Sequence, residues 1–188
     1  MSDYIVTRAG QKLEGALKAF AVDLRGKVVL DIGSSTGGFT EMALKKGAKK
    51  VVAVEKGTQQ MRFDLAMDRK VELHEKTDIF DFKMQKKPDV ILIDVSFVSL
   101  RDILAHVKRK LAGADTAILA MLKPQFEMSD EVLNRGVMKN SRVRREAIKA
   151  FEVWLKSNGF VVLDKRDNEV VGRFGNQERF YYLKISRP

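Results

Sequence analysis

The sequence predicts an α/β fold: a mostly parallel sheet covered by helices on both faces, ending in an antiparallel C-terminal hairpin. Three observations predict it. Short apolar runs recur at even spacing, and most end in a polar or charged residue followed by a turn. Stretches with helical spacing lie between them, which is the pattern of parallel strands buried on both faces. The last two runs are joined by only a short glycine-containing connection, as in a hairpin.

Val28–Ile32, Lys50–Glu55, Val71–His74, Asp89–Val95 and Thr116–Leu122 read as buried strands. Gly38–Lys46 and Ser99–Leu111 read as helices between them. In the second, Leu100, Ile103, Leu104, Val107 and Leu111 line one apolar face. Arg142–Asn158 is a long helix offering Val143, Ile148, Phe151, Trp154 and Leu155 to the core, and Gly159 stops it. Phe160–Asp164, running on toward Val171, and Glu178–Ser186 form the hairpin across GRFGN. Gly10–Phe20 reads as a helix packed outside the sheet.

The 188 residues suit a single domain, 1–188, in which residues 1–20 form an N-terminal helical extension. No apolar run approaches the roughly 20 residues of a membrane span. MSDYIVTRAGQKLEG lacks the apolar core of a secretory signal. Cysteine is absent, which excludes disulfides and thiolate metal sites and fits a reducing, cytoplasmic setting. The 35 lysines and arginines exceed the 25 aspartates and glutamates, a net charge of +10 that favours an anionic partner, nucleic acid first.

The stretch VVLDIGSSTGGFT, Val28 to Thr40, carries the first chemical signal. A strand, a glycine turn and a helix cradle pyrophosphate in dinucleotide enzymes, but that motif wants G-x-G-x-x-G. Here Gly33 and Gly38 fit and Ser35 takes the middle position. Asp31, just before the turn, would repel a pyrophosphate and attract an ammonium. S-adenosylmethionine carries an ammonium and a sulfonium and no phosphate, and its carboxylate can use the helix N-terminus after Gly37. Glu55, ending the second strand 24 residues after Asp31, can accept both ribose hydroxyls of an adenosine; it also reads as a solvated strand-end charge. Asp78 after the third strand can accept from the adenine amino group; it also reads as a helix cap. The expected cofactor-binding set is Asp31, Gly33, Ser34, Gly37, Gly38, Phe39, Glu55, Lys56, Thr77, Asp78 and Asp94, with no metal.

Asp94 ends the fourth strand in VILIDVSFVSL and Lys123 the fifth in AILAMLKPQFE. Each alone reads as a cap or a snorkelling strand-end lysine. Adjacent strands would set them side by side in a cleft as an ion pair. A sulfonium methyl moves by direct displacement, so the protein must align the acceptor and remove its proton, a task a lysine can perform.

TRAGQKLEGAL, LDIGSSTGGFTEMALKKGAKKVVAVEKG, IDVSFVSL, LKPQFE and GNQERF together resemble the TlyA (haemolysin A) family of FtsJ-like ribosomal RNA methyltransferases, over Tyr4 to Leu183. The resemblance implies a Rossmann-like, seven-stranded class I methyltransferase fold, S-adenosylmethionine as cofactor and 2′-O-methylation of ribose in ribosomal RNA. It implies a Lys-Asp-Lys-Glu tetrad: Lys12 from the RxGxKL segment, Asp94 from IDVSF, Lys123 from KPQFE and Glu178 from GNxE. It also implies ribosomal RNA or a ribosomal subunit as partner, with no membrane and no stated oligomeric state. The family usually carries a small RNA-binding module before RxGxKL, the segment at which this chain begins, and often has asparagine where Asp78 stands. Arg8, Lys12, Arg135, Lys139, Arg142, Arg144 and Arg145 are the expected RNA contacts, the last three as a phosphate-holding cluster. Pro124–Asn140 reads as a lid over the substrate. A methyltransferase acting on another substrate, and a non-catalytic RNA-binding or haemolysin-like protein, are the alternatives; no segment is suited to pore formation.

Overall fold

The computed structural model describes residues 7–127, 138, 140–172 and 175–186. Seven strands form one sheet in the order β3-β2-β1-β4-β5-β7-β6. Five are parallel: β1 (Val28–Ile32), β2 (Lys50–Val54), β3 (Val71–His74), β4 (Val90–Ile93) and β5 (Ala117–Leu122). Two are antiparallel, β6 (Phe160–Asp167) and β7 (Arg179–Ile185), with β7 inserted between β5 and β6. The expected strands are all present. β2 and β5 are one residue shorter than expected, β7 two and β4 three, which puts Glu55, Asp94 and Glu178 just beyond the strand ends.

Side-chain alternation along the strands divides the core into two layers. Leu30, Ile32, Val52, Val54, Ile91 and Ile93 pack with Ile103, Leu104, Ile148 and Phe151 on one face. Those partners come from α4 (Leu100–His106) and α5 (Ser141–Ser157). On the other face, Val29, Val51, Val90 and Leu92 pack with Leu13, Leu17, Phe39 and Met42 of α1 (Arg8–Ala19) and α2 (Gly38–Lys45). The expected helix over Ser99–Leu111 is α4 followed by a wider π-helical turn, Val107–Leu111. Two short elements carry no sequence periodicity and were not expected: α3 (Phe63–Ala66) and a 3₁₀ turn, Pro124–Phe126, directly after β5.

Register places the chemistry. The central pairs Ile32↔Ile93 and Ile93↔Ala120 set the ends of β1, β4 and β5 beside one another. Leu122↔Arg179 then brings the start of antiparallel β7 to that same rim. Gly33, Asp94, Lys123 and Glu178 therefore stand in a row just beyond four adjacent strands.

Candidate active site

A cleft of about 610 Å³ opens at this carboxyl rim. Its walls come from the ends of four strands: Gly33 and Ser35 after β1, Glu55 and Lys56 after β2, Thr77 to Phe80 after β3, and Asp94 to Val98 after β4. Ligands of open α/β sheets bind in this position.

The glycines of the first turn answer three separate steric demands. A Cβ on Gly33 would lie 2.5 Å from the Asp94 carbonyl oxygen, and one on Gly37 would lie 2.6 Å from Leu65 Cδ1; both residues also have left-handed φ values, of 81° and 94°. A Cβ on Gly38 would lie 2.6 Å from Thr7 Oγ1 and 2.8 Å from Ala9 Cβ. Gly38 thus lets α1 dock on α2. The Phe39 side chain likewise turns to the core, buried and stacked on Phe180 with ring centroids 5.9 Å apart, which leaves the backbone amides of the helix start as the groups these two residues can offer a ligand.

Asp31 lies beneath the turn, on the α1/α2 side of the sheet, outside the walls of the cleft. It is fully buried, and Thr40 Oγ1 donates to its Oδ2 at 2.7 Å. Its Oδ1 and the nearby Ser34 Oγ are buried without a hydrogen-bond partner among the described residues. Burial, with a smaller contribution from Asp94, pushes the Asp31 carboxyl up to about 7, against the bond from Thr40. Glu55 stiffens the turn from the side: its Oε2 accepts from Ser35 N at 2.9 Å and its Oε1 from Gly57 N at 2.7 Å. Lys56 reaches across the mouth to Asp78 Oδ2 at 2.8 Å, while Asp78 Oδ1 accepts from Phe80 N. That lysine contact, and then the Phe80 amide, hold the Asp78 carboxyl below its usual range. Thr77 Oγ1 donates to the Glu75 carbonyl.

Two lysine–carboxylate pairs occupy the rest of the rim. Lys123 Nζ lies 2.6 Å from Asp94 Oδ1, both side chains less than a fifth exposed. The contact is electrostatic rather than an aligned hydrogen bond, since Asp94 Oδ1 accepts none and Lys123 Nζ donates to Ser96 Oγ at 2.9 Å. Lys12 Nζ donates to Glu178 Oε2 at 2.5 Å, and both side chains are less than a tenth exposed. Helix α1 thereby delivers Lys12 to the start of β7 across 166 residues of sequence.

Of the residues expected to meet RNA, Arg142 and Arg145 are exposed, with Arg142 Nε 2.9 Å from Glu146 Oε1. Arg8 Nη2 donates to the Val171 carbonyl at 2.7 Å. Arg144 does not belong with them: it is turned inward to Asp167 Oδ1 at 2.6 Å and to the Gln177 carbonyl at 3.1 Å. Arg135, Lys139 and most of the expected lid, Pro124–Asn140, lie outside the described residues.

Sequence reasoning missed two neighbours of the site. Glu127, the last residue of KPQFE, is buried and accepts from Leu100 N at 2.6 Å and Ser99 Oγ at 2.9 Å. It caps α4 and ties the segment after β5 to the segment after β4. Burial raises its carboxyl, against those two bonds. Phe97 is 90% exposed at the cleft wall, in a left-handed conformation with φ 63°, its ring 5.0 Å from that of Phe126. A bulky residue held in that conformation is a candidate for function. The signal was present in DVSF, where an aromatic follows three rim residues.

Two helical glycines of this region, one packed and one open, predict opposite outcomes. Gly38→Ala, with contacts of 2.6 and 2.8 Å, is expected to cost about 1–3 kcal/mol in denaturant unfolding. Gly15→Ala, inside α1 with nothing within 4 Å of the added Cβ, is expected to gain about 0.5–1 kcal/mol.

Comparison with known proteins agrees with this geometry. The family model for FtsJ-like methyltransferases matches residues 5–185. A Campylobacter jejuni protein named 23S rRNA (cytidine-2′-O)-methyltransferase TlyA is 34% identical over 184 residues, covering 97% of this chain and 72% of the relative. The Bacillus subtilis rRNA methyltransferase homologue YqxC is 38% identical, covering 95% of this chain and 65% of its own. Hemolysin A of Brachyspira hyodysenteriae is 33% identical, covering 96% of this chain and 77% of its own. The chain therefore spans between 65 and 77% of the length of these relatives. A solved structure from Lactococcus lactis superposes with a TM-score of 0.91 at 34% identity, covering 97% of this chain and 89% of that one. A Mesorhizobium loti S-adenosylmethionine dependent methyltransferase, with a TM-score of 0.65 at 13% identity over 95% of this chain and 100% of its own, shares the fold alone. With the cleft, the turn and the paired lysines in place, the chain belongs to the FtsJ-like methyltransferase family.

Proposed function

We propose that the protein uses S-adenosylmethionine to methylate a ribose 2′-hydroxyl of ribosomal RNA. The observation that carries this reading is the pair of desolvated lysine–carboxylate contacts, Lys123–Asp94 and Lys12–Glu178, on the rim that ends the cofactor-sized cleft.

The chain's own residues fit the cofactor. Asp31 Oδ1 and Ser34 Oγ are buried polar atoms that the fold leaves unsatisfied, and the carboxylate answers an ammonium from beneath the turn. The Glu55 oxygens, each already accepting one backbone N–H, keep a further lone pair apiece for ribose hydroxyls. Asp78 and Thr77 stand at the adenine end. When bound, S-adenosylmethionine supplies a methyl group already activated by its sulfonium.

What remains for the protein is alignment and proton removal. Asp94 and Ser96 fix the position of Lys123 Nζ. Once that amine has released its own proton it can take the one on the ribose hydroxyl. The second ammonium, Lys12, stabilises negative charge as it develops on that oxygen, and Glu178 holds Lys12 in place. Phe97 offers an exposed ring face beside Asp94 for a nucleobase. Arg142 and Arg145, at the start of α5, remain available to phosphates. Among the described residues no helix is long and apolar enough to cross a membrane.

Lys123→Ala is expected to lower methyl transfer to ribosomal RNA by at least about 100-fold, the scale of a general base, while cofactor affinity by calorimetry stays within a few-fold. Turnover equal to the parent's would remove Lys123 from the role. The Asp31 carboxyl, pushed up to about 7 from 3.8, gives a pH dependence with a definite sign. Its neutral form is the one the free fold favours, so its contribution to stability is present in acid and is lost as pH rises toward about 7. Cofactor binding needs the charged form, so affinity is expected to rise by up to about tenfold between roughly pH 6 and 8. Asp31→Asn is expected to flatten that profile and to stabilise the free protein at pH 8 by about 2–4 kcal/mol.

A further inference from the structure

We propose that Arg144, Asp167 and Arg179 form a clamp that positions Glu178 against Lys12, so that Arg144 acts on the reaction from behind the site and is not an RNA contact. The proposal deepens the proposed function, since it assigns positioning residues to the same rim.

Glu178 is held by the residues on either side of it. Before it, the Gln177 carbonyl accepts from Arg144 Nε at 3.1 Å. After it, Arg179 Nε donates to Asp167 Oδ1 at 2.7 Å and Nη2 to Oδ2 at 3.1 Å. Arg144 Nη2 reaches the same Asp167 Oδ1 at 2.6 Å. One carboxylate on β6 thus joins a guanidinium from α5 to one on β7, and the chain between these anchors is Gln177–Glu178–Arg179. The Glu178 carbonyl accepts from Asn168 N at 2.9 Å, which fixes the residue's backbone to the end of β6. Gly172 closes the other side: a Cβ there would lie 2.8 Å from Glu178 Oε1.

The location of the arginines separates this role from a surface one. Arg144 and Arg179 side chains are 17% and 21% exposed, whereas Arg142 on the same helix is 81% exposed. Burial works against ionisation of Asp167, yet the guanidiniums of Arg179 and Arg144 hold its carboxyl below the usual range. Such an anchor is needed because Lys12 and Glu178 form a nearly buried ion pair. A pair of that kind tolerates little misalignment: a displaced partner leaves a desolvated charge unmet. Glu178 lies one residue outside β7, where a single backbone bond from Asn168 continues the pairing, and the clamp adds side-chain anchors on both sides of it.

The direct readout is the reactivity of Lys12 toward a water-soluble amine-acylating reagent, followed residue by residue by mass spectrometry. It needs neither RNA nor cofactor. In the parent, Lys12 and Lys123 are both nearly buried and paired, and both are expected to label slowly. Arg144→Ala and Asp167→Asn are expected to speed labelling of Lys12 by about 5- to 10-fold, the equivalent of losing one charge-assisted bond, with Lys123 unchanged. Arg144→Lys, which keeps one donor, should fall between. Glu178→Ala should release Lys12 by itself, and adding Arg144→Ala to it should change nothing further. If Asp167→Asn loosens the whole fold, Lys123 accelerates as well, and Arg144→Ala then carries the test. Unchanged Lys12 labelling in Arg144→Ala, or equal acceleration of Lys12 and Lys123 in that variant, would overturn the clamp. In turnover, the same substitution should lower kcat and leave the RNA KM within about twofold; a raised KM with unchanged kcat would return Arg144 to RNA binding. Loss of the RNA reading alone would leave the labelling result standing.

Discussion

Two ammonium–carboxylate pairs taken largely out of water, on neighbouring strand ends, are the constraint on which the rest of this structure depends. Desolvating four charges is unfavourable unless each finds its partner in good geometry. The sheet supplies that geometry. β4 and β5 bring Asp94 and Lys123 together as parallel neighbours. β7, inserted antiparallel beside β5, turns its first residues to the same rim and so presents Glu178. The fourth member comes from outside the sheet, on α1, and that helix must be docked closely enough to put Lys12 within 2.5 Å of a carboxylate oxygen.

The glycine turn takes on a second meaning in this light. A turn that only admitted a ligand would need open backbone on its solvent side. Instead, Gly37 is packed against Leu65, and Gly38 against Thr7 and Ala9 at the beginning of α1. The same few residues therefore shape the cofactor turn and seat the helix that carries Lys12. Asp31 lies under that junction, bonded to Thr40 of α2, its charge disfavoured by burial until something cationic answers it. The glycine turn and the helix that carries Lys12 share one packing contact, which is why a single added methyl group at Gly38 is expected to be felt in both.

Much of this was legible in the sequence because apolar periodicity and rim chemistry are local signals. Val28–Ile32 and Val71–His74 appear with the bounds expected of them. The rim residues Asp94 and Lys123 were marked by the change from apolar run to charge. Lys12 and Glu178 were not marked by anything local: one is a helical lysine among many, the other a charge beside a strand. Only the resemblance of their segments to a family pointed to them, because their contact spans 166 residues and is made by tertiary packing. The same cause hid Glu127, whose partners Ser99 and Leu100 lie at the start of α4, and turned Arg144 from an expected surface cation into a half-buried, paired one. That the Phe39 ring packs on Phe180 was not legible either, since a sequence does not say which face of a helix start meets the sheet.

The central claim is that this rim removes a proton from a sugar hydroxyl. The most direct test is the identity of the product: ribosomal RNA treated with the protein and S-adenosylmethionine, digested to nucleosides and read by mass spectrometry. The account predicts a nucleoside whose added methyl stays with the ribose on fragmentation. A methyl group that stays with the base, or RNA that gains no methyl while the cofactor is consumed on another acceptor, would contradict it.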